Sequence, residues 1–248
     1  MVVGLLHPGE MGVAVGAHVL SRGIPVVWAS DGRSEETAKR AAAFEDVGSA
    51  DAVAARSDVI FSICPPHAAH EVAGSVAGFE GIYVDANAIA PATAREILAG
   101  FVRGVDGGIV GGPSAPRLYL SGLDAPAVAE LFQGTGVDTR VVSDELGAAS
   151  AVKVTFAAWS KGTAAMLLDI VELARAEGVE DALLAEWQDS MPELMARIDR
   201  ARGSADAKGW RWVGEMEEIA SAFAAHDLPD GFHRAAAQVF GWPQGVRS

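Results

Sequence analysis

The stretch VGLLHPGEMG, residues 3–12, decides the fold of this 248-residue chain. Its apolar start is typical of a buried strand, and helical spacing begins at Gly9. A dinucleotide-binding fold needs glycines between its first strand and first helix, because the backbone must approach a pyrophosphate there. Gly9 and Gly12 occupy the second and third glycine positions of the pattern G-x-G-x-x-G, and His7 occupies the first. The stretch therefore favours a dinucleotide site, and a purely structural strand-to-helix turn is the alternative.

Strands and helices alternate along the first half of the chain. Helical segments separate apolar runs that are typical of strands, at residues 25–29, 58–64, 82–85 and 105–110. This alternation predicts an α/β domain, a Rossmann-like doubly wound parallel sheet, over residues 1–144.

From residue 145 the strand signals stop. The segment 147–177 contains no proline and predicts one long helix. Further helical segments follow near residues 180–189, 192–202, 212–225 and 231–240. They predict an all-helical domain over residues 145–248, which we expect to serve substrate binding and dimerisation.

Composition excludes several classes of protein. Half of the residues are hydrophobic, which excludes a disordered chain, and Cys64 is the only cysteine, which excludes a disulfide framework. The net charge of -14 argues against binding to nucleic acid or to an anionic membrane surface. No apolar run reaches the eighteen or so residues of a membrane span. The lone thiol and the lack of a signal-peptide pattern predict a cytoplasmic location.

The residues after the second predicted strand bear on the type of cofactor. NAD-binding proteins usually place a carboxylate there, about eighteen residues after the last glycine of the loop, for the ribose hydroxyls. Here that position is Ser30. The carboxylate of Asp31 is adjacent, but Arg33 and Ser34 follow at once. Both can hold the 2′-phosphate of NADP. The sequence therefore favours NADP(H) over NAD(H), with an ordinary surface role for Arg33 as the alternative.

Lys153 is the candidate catalytic residue. It is the only charged residue between Ser150 and Trp159, in a segment that is apolar on nearly every helical face. Burial lowers the pKa of an ammonium group, and such a lysine suits general acid–base work on a carbonyl oxygen. The alternative is a lysine at a domain seam with a buried stem and a solvated head.

Five blocks of sequence follow one another in a fixed order: VGLLHPGEMG, SICPP (62–66), DANAIAP (85–91), DGGIVGG (106–112) and GAASAVK (147–153). Their residue types and their order resemble the β-hydroxyacid dehydrogenases and their 6-phosphogluconate dehydrogenase and imine reductase relatives. The last third of the chain resembles a short helical domain that some such proteins carry. The resemblance implies an NAD(P)-dependent oxidoreductase with a Rossmann-like domain followed by a helical domain.

The loop and strand-end arguments assign cofactor binding to His7, Pro8, Gly9, Glu10, Met11, Gly12, Ser30, Arg33 and Ser34. The resemblance adds Cys64, Pro65, Pro66 and Asn87 to the cofactor site. It also implies that Asn87, Gly111 and Gly112 contact the substrate, and Trp159 is a further candidate from its position on the long helix. The same resemblance assigns acid–base catalysis to Lys153.

The chain also departs from the family pattern. Val110 and Ala157 stand where the family has serine and asparagine, and Asn87 replaces a serine or threonine. These replacements imply a substrate that is less polar than the family norm.

Other polar residues give weaker indications of a functional role. His67, His70 and Glu71 have metal-ligand spacing but no matching partner cluster, so no metal is predicted. Glu215 and His233 could polarise a substrate, but structural roles are favoured for both.

These observations predict an NADP(H)-dependent oxidoreductase that transfers hydride between the nicotinamide and a small carbonyl or hydroxy compound. Reduction of a C=N bond and non-catalytic sensing of NADP(H) stay open as alternatives. The long helix carries apolar residues on several faces, among them Phe156, Trp159 and Met166. Because one small domain cannot surround such a helix, we expect a homodimer through the helical domain.

Overall fold

The structure is a computed structural model that describes residues 1–242. It divides into two compact units, Met1–Val154 and Thr155–Ser248. The last six residues of the predicted second domain, 243–248, lie outside the described residues. The division between the units falls inside a long helix, whereas the sequence placed the functional boundary at residue 144. The compact units do not test which residues serve cofactor binding and which serve substrate binding, so the functional boundary at residue 144 stays a prediction.

Eight strands form one sheet in the order β3-β2-β1-β4-β5-β6-β7-β8. Their bounds are β1 (Val3–Leu5), β2 (Val26–Trp28), β3 (Glu45–Asp46), β4 (Val59–Ser62), β5 (Ile82–Asp85), β6 (Arg103–Val110), β7 (Arg117–Ser121) and β8 (Asp138–Ser143). The pairing is parallel throughout except between β6 and β7. The predicted doubly wound α/β fold is confirmed. The antiparallel pairing of β6 with β7 was not predicted. It arises because the six residues between these strands are too few for a crossover helix.

Helices cover both faces of the sheet in this first unit. They are α1 (Glu10–Ser21), α2 (Glu35–Arg40), α3 (Ala50–Arg56), α4 (Ala69–Gly74), α5 (Pro91–Leu98) and α6 (Ala125–Glu130), with a 3-10 turn at Pro66–Ala68. Neighbouring residues of β4 belong to different apolar clusters, Phe61 to one and Ile60 to the other. Because strand side chains alternate between faces, each face of the sheet has its own core.

The order of the strands reverses at β1, which lies between β2 and β4. In open α/β sheets, ligands bind beyond the carboxyl ends of the strands at such a reversal. The residues that follow β1 and β4 therefore mark the expected ligand site.

The second unit is helical. Helix α7 (Ala148–Ala176) continues from the first unit into the second, and α8 (Glu180–Ser190), α9 (Glu193–Ala224) and α10 (Gly231–Phe240) follow. The 29 residues of α7 confirm the prediction of one long helix. No helix in the described part of the chain is long and apolar enough to cross a membrane.

The prediction of two separate helices at 192–202 and 212–225 was wrong, because both belong to the 32-residue helix α9. Gly203 and Gly209 lie between them, and a glycine costs a helix about 1 kcal/mol relative to alanine. Ala201, Ala205 and Gly209 are buried at helical spacing, so the packed face continues through this stretch. Packing outweighs the low helix propensity of the glycines.

Candidate active site

The loop between β1 and α1 leaves the N-terminus of α1 open. Gly9 is the N-cap of α1 and brings no side-chain cap. A Cβ at Gly12 would lie 2.8 Å from the carbonyl oxygen of His7, so only glycine allows the helix to approach the loop this closely. A Cβ at Gly9 would meet no atom within 4 Å, so the space beside the helix end is open. Both features suit a phosphate group, although Glu10 adds an exposed carboxylate to the same turn.

The two remaining residues of the predicted loop are less accessible. Pro8 is buried and Met11 is half-buried, and Met11 packs against the apolar cluster on one face of the sheet. They can offer apolar contact to a ligand but no polar group from their side chains.

The segment after β2 is held by a carboxylate from the neighbouring strand. The Ser30 amide donates to Asp46 Oδ1 at 3.2 Å, and the Gly48 amide donates to the same oxygen at 2.9 Å. Hydrogen bonds from the Ser30 side chain and from the Gly48 amide hold the pKa of Asp46 below its usual value. Sequence reasoning missed Asp46, because β3 has only two residues and gives no strand pattern.

Arg33 and Ser34 differ in what they can offer to a ligand. The Ser34 hydroxyl caps α2 by accepting a hydrogen bond from the Thr37 amide at 3.2 Å. Arg33 is half-buried, and its Nε is buried with no hydrogen-bond partner among the described residues. A buried guanidinium nitrogen without a partner suits an anionic group of a ligand. Arg33 is therefore the stronger phosphate candidate of the two.

Cys64 follows β4 at the point where the strand order reverses. Burial raises the pKa of its thiol to about 12, and the charge of Arg33 acts in the opposite direction. The thiol is therefore neutral at physiological pH, which suits a space-filling role rather than a nucleophilic one. Pro65 and Pro66 follow it, both half-buried.

Asn87 joins the ends of β4 and β5. Its side-chain oxygen accepts a hydrogen bond from the Cys64 amide at 2.6 Å. Its Nδ2 donates to Ser62 Oγ at 3.1 Å and to Asp85 Oδ2 at 2.9 Å. The amide group has no donor left for a ligand, so the structure gives Asn87 a positioning role. Its direct contacts with cofactor and substrate stay predictions.

Asp85 is a buried titratable group at the same edge of the sheet. Burial raises the pKa of its carboxyl to about 7, and hydrogen bonds from Asn87 act in the opposite direction. The charge of Asp106, its register partner on β6, also raises the pKa of Asp85. The Asp85 carboxyl therefore holds its proton more readily than an exposed aspartate does.

The first turn of α7 is anchored to the sheet by Asp106. This fully buried carboxylate accepts hydrogen bonds from the Ser150 amide at 2.9 Å, the Ser150 hydroxyl at 2.5 Å and the Ser121 hydroxyl at 2.9 Å. Ser121 Oγ in turn accepts a hydrogen bond from the Ala149 amide at 3.1 Å. The network satisfies amides at the start of α7 that would otherwise lack partners. Sequence reasoning placed Asp106 in a family block but gave it no role.

Lys153 lies against β6, one turn into α7. A Cβ at Gly108 would lie 2.6 Å from the carbonyl oxygen of Ala149 and 3.0 Å from Lys153 Cβ. Strand β5 ends at Asp85, which pairs with Asp106, so Gly108 lies two residues beyond that end. Lys153 is half-buried and lies at the carboxyl edge of the sheet.

The predicted substrate residues fall in both units. Gly111 and Gly112 follow β6 as exposed residues, and Gly111 has φ +97°, a conformation that favours glycine. Trp159 belongs to the helical unit, where its side chain is 66% exposed. The first unit thus brings together every predicted cofactor residue, both glycines and Lys153.

Two cavities lie in the helical unit, and Trp159 lines both. One of about 550 Å³ is lined by residues of α7 and α9, among them Phe156 and Arg197. The other, of about 340 Å³, is lined by residues of α7 and α10, among them Phe232. Their walls are mainly apolar, which is typical of a ligand pocket or of an incomplete interface.

Glu215 and His233 have structural surroundings. Glu215 forms an ion pair with Lys161, whose Nζ lies 5.2 Å from the ring centroid of Trp212. His233 is buried against Phe223, with their rings 4.5 Å apart, and burial lowers its pKa. Within residues 1–242, no group of three His, Cys, Asp or Glu side chains is arranged to hold a metal ion.

Comparison with known proteins agrees with this architecture. Residues 174–242 match the model of a domain of unknown function, DUF1932. An uncharacterised 28.5 kDa protein of Methanothermus fervidus is 28% identical over 178 residues, which are 69% of this chain and 70% of that protein.

Solved structures cover nearly the whole chain. A conserved protein of unknown function, described as structurally similar to 3-hydroxyacid dehydrogenases, is 27% identical with a TM-score of 0.70, over 97% of this chain and 96% of that one. The 3-hydroxyisobutyrate dehydrogenase of Mycobacterium tuberculosis is 18% identical with a TM-score of 0.71, over 97% and 93% of the two chains. A reductive aminase of Aspergillus terreus, solved with NADPH, is 18% identical with a TM-score of 0.60, over 97% and 92%. The resemblance noted in the sequence is confirmed: the chain has the fold of the 3-hydroxyacid dehydrogenases.

Proposed function

We propose that this chain is an oxidoreductase that binds NADP(H) at the carboxyl edge of its sheet. It transfers hydride between the nicotinamide and a small carbonyl or hydroxy compound, with Lys153 as the general acid–base. The observation that carries the proposal is that the glycine loop, Arg33 and Cys64 follow the carboxyl ends of β1, β2 and β4. In the same unit, Lys153 lies beside Gly108 of β6, which extends beyond the end of β5. The named activities of the dehydrogenase and reductive aminase neighbours support the same class of reaction.

The residues present fit a dinucleotide. The open N-terminus of α1 at Gly9 suits the pyrophosphate, and the unpartnered Nε of Arg33 suits a 2′-phosphate. The neutral Cys64 and the adjacent prolines Pro65 and Pro66 offer apolar contact to a ring of the cofactor. When bound, NADP(H) supplies the hydride for reduction or accepts it in oxidation. NAD(H) remains the less favoured cofactor, because the usual carboxylate after β2 is replaced by Ser30.

The role of Lys153 follows from its chemistry and its anchoring. Its ammonium group donates a proton to the substrate oxygen during reduction, and the neutral amine takes the proton back during oxidation. The hydrogen bonds that Ser150 donates to Asp106 and the close contact at Gly108 fix the turn of α7 that carries Lys153. A fixed position raises the rate, because a reacting group held in place needs no further ordering.

The substrate that we propose is small and less polar than a sugar acid. Val110 and Ala157, which replace the polar residues of the family pattern, are buried and offer no hydrogen bond from their side chains. Trp159 adds a large apolar surface in the helical unit.

Reduction of a C=N bond is the second candidate function, and the likeness to a reductive aminase favours it. A lysine acid is less needed there, because the nitrogen of an iminium substrate is already positively charged. The presence of Lys153 therefore supports carbonyl chemistry.

We also propose that the protein is a homodimer through its helical unit. Trp159, Met166 and Leu173 of α7 have exposed side chains in the single chain. A second copy that packs against α7 would cover them, as the apolar character of the helix requires.

The experiment is a substrate panel with oxidation of NADPH as the readout. It contains small aldehydes, ketones and β-keto acids, matched with cyclic imines of similar size. The proposal predicts turnover of carbonyl compounds. Turnover of imines alone would establish the second candidate, and tight binding of NADPH without any turnover would indicate a sensor. Failure to bind either NADPH or NADH would overturn the proposal.

A further inference from the structure

We infer that Asp46 is a specificity-determining residue that weakens binding of the 2′-phosphate of NADP(H) and so lets NAD(H) compete for the site. The inference rests on the proposed function. It concerns a residue of β3, outside the segment 30–34 in which cofactor choice was predicted from the sequence.

The sheet brings Asp46 to the end of β2. Strand β3 pairs with β2 in parallel, and Asp46 is the register partner of Trp28, the last residue of β2. From there its Oδ1 accepts the amide of Ser30 at 3.2 Å and the amide of Gly48 at 2.9 Å. A carboxylate thus reaches the position after β2 from the neighbouring strand, although the chain has a serine there.

The Ser30 hydroxyl is committed to Asp46. The Ser30 side chain is hydrogen-bonded to the Asp46 carboxylate. A hydroxyl that donates its proton to a carboxylate cannot donate it to a phosphate at the same time. The side chain that could replace the usual ribose carboxylate is therefore directed away from a 2′-phosphate.

The charge of Asp46 acts in the same direction. Its side chain is exposed, and no basic side chain among residues 1–242 forms an ion pair with it. A 2′-phosphate carries close to two negative charges at neutral pH, so an uncompensated carboxylate beside its site repels it. The ribose hydroxyls of NAD are neutral donors and suffer no such repulsion. Arg33 has the opposite effect. The exposed Asp31 adds a further carboxylate to the segment after β2, so charges of both signs lie around this position.

The test compares Asp46→Asn with the unchanged protein by titration with NADPH and NADH, read from the quenching of tryptophan fluorescence. Asn keeps the Oδ1 acceptor for both amides, removes the charge, and replaces the second carboxylate oxygen with a donor. We expect the Kd for NADPH to fall about threefold to tenfold, the range for one unit charge acting through largely aqueous surroundings. The Kd for NADH should change by less than about twofold. The gain should shrink at high salt, because ionic screening weakens interactions between exposed charges.

Asp51→Asn is the matched control. Asp51 lies in the first turn of α3 and is also exposed, so its removal changes the net charge equally. We expect no change in the ratio of the two dissociation constants for this variant.

The outcomes separate the two proposals. An unchanged Kd ratio in Asp46→Asn, with both cofactors bound by the parent, would overturn the role of Asp46 alone. Weaker binding of both cofactors together with a lower melting temperature would show that Asp46 only holds the loop, which also overturns it. A parent protein that binds neither cofactor would refute the proposed function itself.

Discussion

The carboxyl edge of the sheet pairs its buried polar groups internally, whereas the helical unit leaves large apolar side chains exposed. At the sheet edge, the buried polar groups of Asn87 and Asp106 find their partners within the first unit. In the helical unit, large apolar side chains lie in contact with solvent, with Trp159 66% and Leu173 63% exposed. The first region can hold a lysine in place without outside help. The second exposes a surface that is unfavourable in a lone chain.

The helix α7 takes part in both regions. Its first turn is tied to β6 through Ser150, which donates to Asp106, and to β7 through Ala149, which donates to Ser121. A hydrogen bond to a buried carboxylate such as Asp106 contributes roughly 1.5–3 kcal/mol. Beyond Phe156 the helix carries the exposed apolar residues. The end of α7 that carries Lys153 is therefore fixed within its own unit, whereas the other end exposes apolar side chains in the single chain.

The largest effect is expected from Lys153→Ala, which removes the proposed acid–base group and leaves the anchoring of α7 intact. Turnover of the carbonyl substrate should fall roughly 10²- to 10⁴-fold, the usual contribution of a positioned acid–base group. The Kd for NADPH should stay nearly constant. Lys39→Ala, at an exposed lysine of α2, is the control. Full turnover in Lys153→Ala would contradict the role of the lysine and favour imine chemistry.

A smaller effect is expected from Gly108→Ala, which disturbs the anchoring and keeps the lysine. The added methyl group would lie 2.6 Å from the carbonyl oxygen of Ala149, so the first turn of α7 must move away from β6. We expect turnover to fall about tenfold to a hundredfold, as small misplacements of reacting groups do, and the free energy of unfolding to drop by about 1–3 kcal/mol. Thermal melting and initial rates measure both quantities.

Gly74→Ala serves as the control for that variant, because a Cβ there would meet no atom within 4 Å. Equal melting temperatures and rates for Gly108→Ala and the parent protein would show that α7 does not need its close contact with β6.

The next effect concerns Arg33, beside which we propose that the 2′-phosphate binds. Arg33→Ala should raise the Kd for NADPH about tenfold and leave the Kd for NADH nearly unchanged, since one tenfold step corresponds to about 1.4 kcal/mol of lost interaction. Isothermal titration calorimetry with each cofactor measures the difference. An equal loss for both cofactors would assign Arg33 to loop structure rather than to the 2′-phosphate.

The smallest expected effect is a twofold change in the mass of the protein in solution. It tests whether the exposed apolar residues of the helical unit form an interface between two copies. Light scattering should give a mass near twice 25.6 kDa at micromolar concentration. Introducing charge by Met166→Lys with Ile170→Lys should return the mass to that of one chain, because both side chains are exposed on α7. Glu186→Lys on α8 should leave the mass unchanged. A parent protein near 25.6 kDa would contradict the dimer.

Local patterns in the sequence were enough to predict most of the fold. The loop of residues 3–12, the Ser34 cap and the bounds of α10 depend on neighbouring residues, so the structure reproduces them. The continuity of α9 depends on which small residues face a packed surface, and the antiparallel pairing of β7 depends on a partner strand. Both are tertiary properties that propensity does not contain.

The residues of the candidate site also differ in whether local sequence patterns reveal them. Lys153 is visible in the sequence as an isolated charge in an apolar helix. Asp46 and Asp106 are not, because each acts on residues distant in sequence: Asp46 on Ser30, and Asp106 on Ser150. Pairing of strands creates these contacts, so only the three-dimensional structure reveals them.

Fluorescence titration of the purified protein with NADPH and with NADH tests the proposed cofactor site most directly. We propose that the carboxyl edge of the sheet holds a nicotinamide cofactor with its 2′-phosphate near Arg33. We expect saturable binding of both cofactors, with NADPH bound at least about tenfold more tightly, a difference of about 1.4 kcal/mol. Tighter binding of NADH, or no saturable binding of either cofactor, would contradict it.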